Sequence, residues 1–449
     1  MPTAGLTFTP PGPGAWELDP SHLGRPATRF LAELCPEPIA RGFADGAERY
    51  GLLLRTLELQ FVNGFPYTAA RPLGSAPHRP PKLVFQLLTR LHPTHRKRVR
   101  TSQDVFERLA WREDLEAWDL QLKPAAIRRN LELTNVEPLA LDNAALLAHL
   151  GECRDQLTEM LYQHHRLAIP CMLPVGDFLA QAQTWTGRPA EQLLSLLRGS
   201  SPASAGLIPE FDTFTDVLRR KPEAAWALGA DDPAAALAGL RARQDDVGAA
   251  ARVYLAVAGY RSTQGKDVAD PYPLELPEEL VCTLREAIAR PVVRHVQPDD
   301  PSLRDAVPAA QRAAFDALLA EARAMHRVHD ERTLYGDLWA TGLTRRALLA
   351  VGDRLGLEQP GHAVEAGFTE IQALLAGQGP SAEELAGRAT LRASLSTADA
   401  PATLGPPSQG PPPAAWLPTP ASRRSQAATT VILYASRSGI SNNWASSSA

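Results

Sequence analysis

The sequence predicts a mainly α-helical, multi-helix protein with a small β-hairpin element near the N-terminus. From about residue 100 onward apolar residues recur at helical spacing, as Leu146, Leu150 and Leu157 illustrate. A short segment before residue 70 instead alternates apolar and polar residues. At 449 residues the chain is too long for one compact core, so we expect two or three structural units.

The β signal lies at residues 52–69. Leu57, Leu59 and Phe61 alternate with polar residues, which is typical of a half-buried strand. Asn63-Gly64 follows, and this pair favours a type I′ turn because both central residues then take positive φ. The segment therefore predicts a β-hairpin.

Helix-start residues support the helical prediction. Asp142 or Asn143 is placed to cap the helix that carries the leucine stripe. Ser381 and Glu384 have the spacing of a capping box, which predicts the start of a final helix. Residues 309–356 predict two helices that are almost continuous.

Composition divides the chain into four regions. Residues 399–424 are rich in proline, which predicts an extended linker and not a folded element. The predicted regions are an extended N-terminus (1–14), a small α+β entry unit with the hairpin (15–100), a helical region (101–398), and the Pro-rich linker with a disordered tail (399–449).

Charge and apolar content exclude several classes of function. The net charge of −4 gives no electrostatic argument for binding nucleic acid or an anionic membrane. No run approaches the roughly 18 apolar residues of a membrane span, and the N-terminus lacks the basic and apolar regions of a signal peptide. The four cysteines form no Cys-x-x-Cys pair, which favours reduced thiols. We therefore expect a cytoplasmic protein.

The segment 258–280 is the strongest candidate for a binding loop. It places Tyr260, Arg261, Asp267 and Asp270 in a stretch punctuated by glycine and proline, with helical sequence on both sides. One interpretation is a polar lip over a pocket, with Arg261 as a planar donor to an anionic group. The other is an internal Arg–Asp pair that fastens the loop to the helices.

Aromatic and histidine residues supply further candidates. Trp185, Phe178, Trp339 and Tyr335 are suited to an aromatic pocket, although core packing is their ordinary role. His164-His165 end a helix, and one of the two is placed to act as a base toward an acceptor.

A second histidine pair follows later in the sequence. His326 and His329 share one helical face beside acidic residues, which fits either a metal pair or, more simply, a solvated charged face. From spacing we predict no metal site.

Ten short blocks, taken in order, carry a family resemblance that spans roughly residues 14–400. They resemble the central helical region of the phosphoenolpyruvate-utilising, phosphoenolpyruvate synthase-like (pyruvate, water dikinase-like) phosphotransferases, which include rifampicin phosphotransferases. The blocks are WELD (16–19), RP (25–26), YGLL (50–53), VNGF (62–65), DFL (177–179), WTG (185–187), LLRGSSP (196–202), GYR (259–261), DVADP (267–271) and LWATGL (338–343).

The resemblance implies a divided enzyme. Family members join a nucleotide-grasping domain, a swivelling domain that carries the phosphoryl group on histidine, and an acceptor-presenting region. This sequence resembles only the last of these, because none of its eleven histidines lies in a Gly-Gly-x-x-Ser-His-Ala-type loop. The resemblance implies that residues 101–398 bind a small-molecule acceptor such as an alcohol or phenol. ATP and Mg²⁺ would then act on partner subunits and not on this chain.

The resemblance also implies which residues contact the acceptor. No catalytic residue is expected in this chain, and two other interpretations stay open: a non-catalytic small-molecule binding protein, and a truncated relic of a full-length enzyme. The expected substrate-binding residues are Tyr260, Arg261, Asp267, Asp270, His165, Trp185 and Trp339.

Overall fold

The computed structural model describes residues 5–74, 80–201, 208–262, 265–290, 301–407 and 416–417. Helices make up most of this structure, and one small antiparallel sheet packs near the N-terminus, so the predicted fold class is confirmed. In the part of the chain that is described, no helix combines the length and apolar character needed to cross a membrane.

The α-helices of the described residues are numbered here in chain order. They are α1 (Arg29–Leu34), α2 (Pro36–Arg49), α3 (Lys82–Leu91), α4 (Pro93–Glu107), α5 (Trp111–Ala117), α6 (Lys123–Thr134), α7 (Asn143–Arg166), α8 (Ala168–Thr186), α9 (Ala190–Leu194), α10 (Pro209–Arg220), α11 (Pro222–Ala225), α12 (Pro233–Ala242), α13 (Asp246–Ala258), α14 (Pro277–Ala289), α15 (Pro301–Asp305), α16 (Arg312–Arg332), α17 (Leu338–Arg354), α18 (Phe368–Leu375) and α19 (Ala382–Ala393).

The sheet contains the predicted hairpin and two additional strands. Its strands are β1 (Trp16–Leu18), β2 (Leu54–Val62), β3 (Phe65–Pro72) and β4 (Thr403–Leu404), in the spatial order β2-β3-β1-β4. All pairs are antiparallel. Asn63 and Gly64 join β2 to β3 with φ of 53° and 80°, which confirms the predicted pair of positive φ values.

Strand β4 corrects the prediction that the Pro-rich stretch from residue 399 is only a linker. Leu404 pairs with Trp16 of β1 and is buried against the sheet, together with Tyr67. The physical reason is that Leu404 is an apolar residue within this polar, Pro-rich stretch, and its side chain covers the apolar face of β1. Within the predicted Pro-rich linker and disordered tail at 399–449, residues 408–415 and 418–449 lie outside the described residues.

The predicted helix caps are present. The Asp142 carboxylate accepts a hydrogen bond from the backbone N–H of Ala145 at 2.8 Å and starts α7. The Ser381 hydroxyl accepts from the backbone N–H of Glu384 at 3.1 Å and starts α19. Each cap satisfies a backbone donor that the first helical turn leaves unpaired.

Two π-helical segments interrupt the helical region. One spans Trp118–Leu122 between α5 and α6, and the other spans Thr333–Asp337 between α16 and α17. The second makes α16 and α17 one nearly continuous helix, as the sequence predicted. A π segment widens the helical turn by one residue, and such segments occur frequently at functional sites.

Gly342 of α17 permits a close approach between this helix and the segment after α13. A Cβ atom added at Gly342 would overlap the backbone carbonyl oxygen of Tyr260. The neighbouring backbone is tied to α17 as well, since the N–H of Ser262 donates to the carbonyl of Leu338 at 3.0 Å. Glycine is therefore required here by space.

Gly342→Ala is expected to lower the free energy of unfolding by about 3 kcal/mol, because the added methyl group forces α17 away from the Tyr260 backbone. The matched control is Gly387→Ala in α19, where an added Cβ meets no atom within 4 Å. We expect the control to stabilise by about 0.5–1 kcal/mol through helix propensity. Urea unfolding measures both, and equal effects would contradict the packing argument.

Candidate functional site

A cavity of about 330 Å³ lies between the two π segments. Its walls come from α6, α7 and the two π segments, and its far end reaches the last residue of α16. The lining residues are Trp118, Leu122, Ala125, Ala126, Arg128, Arg129, Glu132, Gln156, Glu159, Met160, Gln163, His164, Arg332 and Gly336.

The cavity combines an apolar wall with charged groups. Trp118, Leu122 and Met160 supply large apolar surfaces. Arg129 is already engaged, because its guanidinium pairs with Glu132 and Glu152 at 3.1 Å each. Apolar pockets with a few well-placed polar groups are the usual binding sites for small molecules.

The most reactive arrangement at this cavity is a pair formed by His164 and Asp337. Nδ1 of His164 lies 2.5 Å from Oδ2 of Asp337, and both side chains are largely buried. His164 lies in the last turn of α7, whereas Asp337 ends the π segment that follows α16. Nδ1 of His164 has no hydrogen-bond partner among the described residues, so this contact is a close approach of two titratable groups and not a formed hydrogen bond.

Burial sets the protonation of this pair. Desolvation raises the pKa of Asp337 to about 7, although the nearby Lys266 and Arg332 favour its charged form. Desolvation also lowers the pKa of His164 well below its ordinary value, and the cation of Arg332 adds to this effect. Near neutral pH the Asp337 carboxyl group is therefore partly protonated and lies beside a neutral imidazole.

Cationic groups surround the pair. Arg332 donates a hydrogen bond from Nη1 to the carbonyl oxygen of His164, while its Nε atom is buried and lacks a partner among the described residues. Burial lowers the pKa of Lys266, and the carboxylates of Asp337 and Asp19 oppose that effect. The site can thus attract an anion and exchange a proton close to it.

His165 occupies a different environment from its neighbour. Its Nδ1 atom lies 2.7 Å from the carbonyl oxygen of Leu161, and its ring packs against Phe43. Burial lowers the pKa of His165 to about 3, so the ring stays neutral. The sequence placed His165 among the binding residues, but His164 is the histidine that lines the cavity.

The group His326, His329 and Asp330 offers three ligand atoms that lie within 4.8 Å of one another. His326 is buried, with a pKa lowered by desolvation to about 4, so the predicted solvated charged face is wrong for this residue. Burial has the largest effect on the pKa of His329 and lowers it. The positive charges of Arg332 and Lys266 lower this pKa further. These nearby positive charges oppose a bound cation.

Asp267 and Asp270 anchor the loop after α13. The Asp267 carboxylate accepts hydrogen bonds from the backbone N–H and the hydroxyl of Thr28 at 2.8 Å each, and from the backbone N–H of Ala269 at 3.0 Å. Asp270 pairs with Arg25 at 3.0 Å. Both carboxylates therefore fasten the loop to the start of α1, and neither lines the cavity.

The remaining predicted binding residues also lie outside the cavity lining. Tyr260 packs on Tyr272 with ring centroids 5.2 Å apart, and the guanidinium of Arg346 lies over its ring. Arg261 is buried and meets Trp339 but pairs with neither predicted aspartate.

The four residues of the predicted aromatic pocket belong to three separate clusters. Trp185 packs beside Phe178 in a core cluster formed by α8, α9 and α16. Trp339 belongs to another core, with α7 and α17, and Tyr335 packs against the cluster of α10, α13 and α14.

Sequence reasoning missed Asp337, Arg332 and Lys266. These residues sit in helical or loop sequence without a recognisable motif, and the π segment that orients Asp337 gives no signal in the sequence. One signal was present: the sequence singled out His164-His165 as a possible base at a helix end.

Comparison of the sequence with protein-family models gives no match, and comparison with curated proteins also gives none.

Asp267→Ala is expected to lower the free energy of unfolding by about 3–5 kcal/mol, because two backbone donors and one hydroxyl lose their buried acceptor. Asp142→Ala is the control, since it removes an exposed helix cap and should cost about 1 kcal/mol. Chemical denaturation compares the two. A smaller cost for Asp267→Ala than for Asp142→Ala would contradict the anchoring role.

Asp337→Asn is expected to flatten the pH dependence of stability. The folded state raises the pKa of Asp337 from 3.8 to about 7, so it holds a proton that the unfolded chain has released. Wild-type stability relative to Asp337→Asn should therefore fall as the pH rises from about 4 to about 7. Melting temperatures across pH 4–8 measure this difference. A variant at the exposed Asp155, Asp155→Asn, should instead parallel the wild type, and parallel curves for Asp337→Asn would contradict the assignment.

Proposed function

We propose that this chain is the acceptor-binding part of a phosphoenolpyruvate synthase-like phosphotransferase, which works with a phosphohistidine domain on a partner subunit. The observation that carries the proposal is that His164 lines a mixed apolar and charged cavity and has the Asp337 carboxyl group close behind it. The ordered sequence blocks from 16–19 to 338–343 supply the family resemblance. The proposed setting is the cytoplasm, with ATP and Mg²⁺ handled by a nucleotide-grasping partner.

The cavity suits an acceptor with a ring and a hydroxyl group. Trp118, Leu122 and Met160 provide apolar contact for the ring, and the volume of about 330 Å³ lies at the low end of small-molecule sites. His164 and Arg332 border the same space, so an acceptor hydroxyl would approach both a proton acceptor and a cation. This arrangement favours a phenol or a related alcohol.

The proposed reaction transfers a phosphoryl group from the nitrogen of the partner's histidine to the oxygen of the acceptor. The acceptor oxygen attacks phosphorus, the P–N bond to the partner's histidine breaks, and the electron pair of that bond stays on the imidazole nitrogen. The proton of the acceptor hydroxyl passes to the His164–Asp337 pair in its deprotonated form. Lys266 and Arg332 lie close enough to Asp337 to influence its charge, and they would stabilise negative charge on the transferring group.

General-base participation makes the reaction depend on pH. The pair accepts a proton only after Asp337 has lost its own, so the rate should rise through about pH 7. His165 stays neutral over the same range and would contribute no such dependence.

The isolated chain is expected to turn over no ATP, and phosphorylated phenol should form only when nucleotide-grasping and phosphohistidine subunits are added. With those subunits, Asp337→Asn should lower the rate of transfer at least about a hundredfold, because it removes the carboxylate beside His164 that allows the pair to take the proton. Phosphorus NMR of the product and a coupled assay for ADP provide the measurements.

Asp155→Asn serves as the control on the exposed surface and should transfer at the wild-type rate. ATP turnover by the isolated chain would refute the divided arrangement. Phenol binding without transfer, in the presence of active partner subunits, would favour the non-catalytic binding protein. Transfer that is unaffected by Asp337→Asn would remove the proposed base.

A further inference from the structure

Arg261 is a buried cation that does not line the cavity. It follows α13, and only 4% of its surface is exposed. Its Nε and Nη2 atoms are both buried without a hydrogen-bond partner among the described residues. Native proteins pair nearly all buried polar groups, so two unpaired nitrogens on one guanidinium must have a physical reason.

Two aromatic rings hold the guanidinium in place. Its central carbon lies 5.2 Å from the centroid of the Tyr335 ring and 5.4 Å from that of Trp339. Cation–π contacts of this kind offset part of the cost of burying a charge. The N–H bonds of the guanidinium point outward in its own plane, whereas the rings contact its face. These contacts therefore use none of its in-plane N–H donors.

The unpaired atoms of Arg261 are suited to bind an oxyanion. Nε and one Nη nitrogen together form an edge with two parallel N–H donors, which matches the two oxygens of a carboxylate. The Nε1–H donor of Trp339 is also buried without a partner among the described residues. Because the Trp339 ring packs against the guanidinium, a third unpaired donor belongs to a residue in contact with Arg261.

Glu210, in the first turn of α10, contributes the complementary group. Its Oε2 atom is buried and accepts no hydrogen bond from the residues that the structure describes. Its charge acts on both Arg261 and Tyr335, raising the pKa of each, although burial dominates and lowers the pKa of Arg261 to about 10. Arg261 and Trp339 thus present unpaired donors, and Glu210 presents an unpaired acceptor.

We infer that Arg261, Trp339 and Glu210 form a binding site for a small molecule that carries a carboxylate and a hydrogen-bond donor. The carboxylate lies on the Arg261 edge and accepts from Trp339, and the donor, such as an ammonium group, faces Glu210. If Arg261 and Glu210 formed an ordinary ion pair, the Arg261 nitrogens and Oε2 of Glu210 would be bonded to each other. Both sets of atoms are instead without partners among the described residues. This site does not depend on the proposed phosphotransfer, because none of its three residues lines the cavity.

Trifluoroacetate reports on the site through fluorine NMR. The full chain should broaden its signal in a saturable manner, and acetate and glycine should both restore the narrow line by displacement. Glycine should displace at a concentration at least threefold lower than acetate, because it alone carries an ammonium group for Glu210. Arg261→Lys keeps the charge but loses the edge with two donors, so its affinity should fall at least tenfold.

Three further variants test the groups of this site one at a time. Trp339→Phe keeps the ring and removes the N–H, so it should weaken trifluoroacetate binding a few-fold. Glu210→Gln should abolish the advantage of glycine over acetate while the broadening persists. Asp337→Asn should leave all of these measurements unchanged, which distinguishes failure here from failure of the proposed transfer function.

The inference is overturned if the wild-type chain produces no saturable broadening, or if Arg261→Lys, with a wild-type circular dichroism spectrum, binds as tightly as the wild type. If Arg261→Lys does not fold, trifluoroacetate binding and glycine displacement in Glu210→Gln and Trp339→Phe test the site instead. Unchanged binding and unchanged glycine preference in both variants then refute the site.

Discussion

The structure depends on one buried carboxylate that joins distant parts of the chain. Asp267 accepts two hydrogen bonds from Thr28 at the start of α1, which connects the N-terminal unit to the loop after α13. From the other side, Arg345 of α17 donates to the carbonyls of Val268 and Ala269 and pairs with Glu275 at 2.6 Å. A loop fixed from both sides holds Lys266 where its charge acts on Asp337, at the end of the π segment that follows α16.

The second organising feature is the nearly continuous helix formed by α16, its π segment and α17. Its α-helical parts pack into apolar cores, while the π segment delivers Asp337 to His164 and Tyr335 to Arg261. The same five residues therefore serve two polar sites on different sides of one helix. Both sites bury charge that has no complete set of internal partners, an arrangement that costs stability and is typical of sites that bind other molecules.

The features that sequence predicted correctly are local ones. Asn63-Gly64 and the caps at Asp142 and Ser381 depend on neighbouring residues, so a short stretch of sequence determines them. The pairing of His164 with Asp337 depends on how two helices meet, and no spacing rule in a single sequence encodes it. The loop 258–280 was predicted as a polar binding loop, but its aspartates anchor it to the N-terminal unit, and the cavity beside His164 lies elsewhere.

Strand β4 has a consequence for the order in which the protein folds. Leu404 pairs with Trp16, so the sheet is completed by two segments from nearly opposite ends of the described chain. During synthesis the apolar face of β1 stays without its last partner until about four hundred residues have been made. Contacts of such long sequence separation form slowly and leave strand edges open to association with other chains. The hairpin β2–β3, which needs only local contacts, covers the other edge of β1 in that interval.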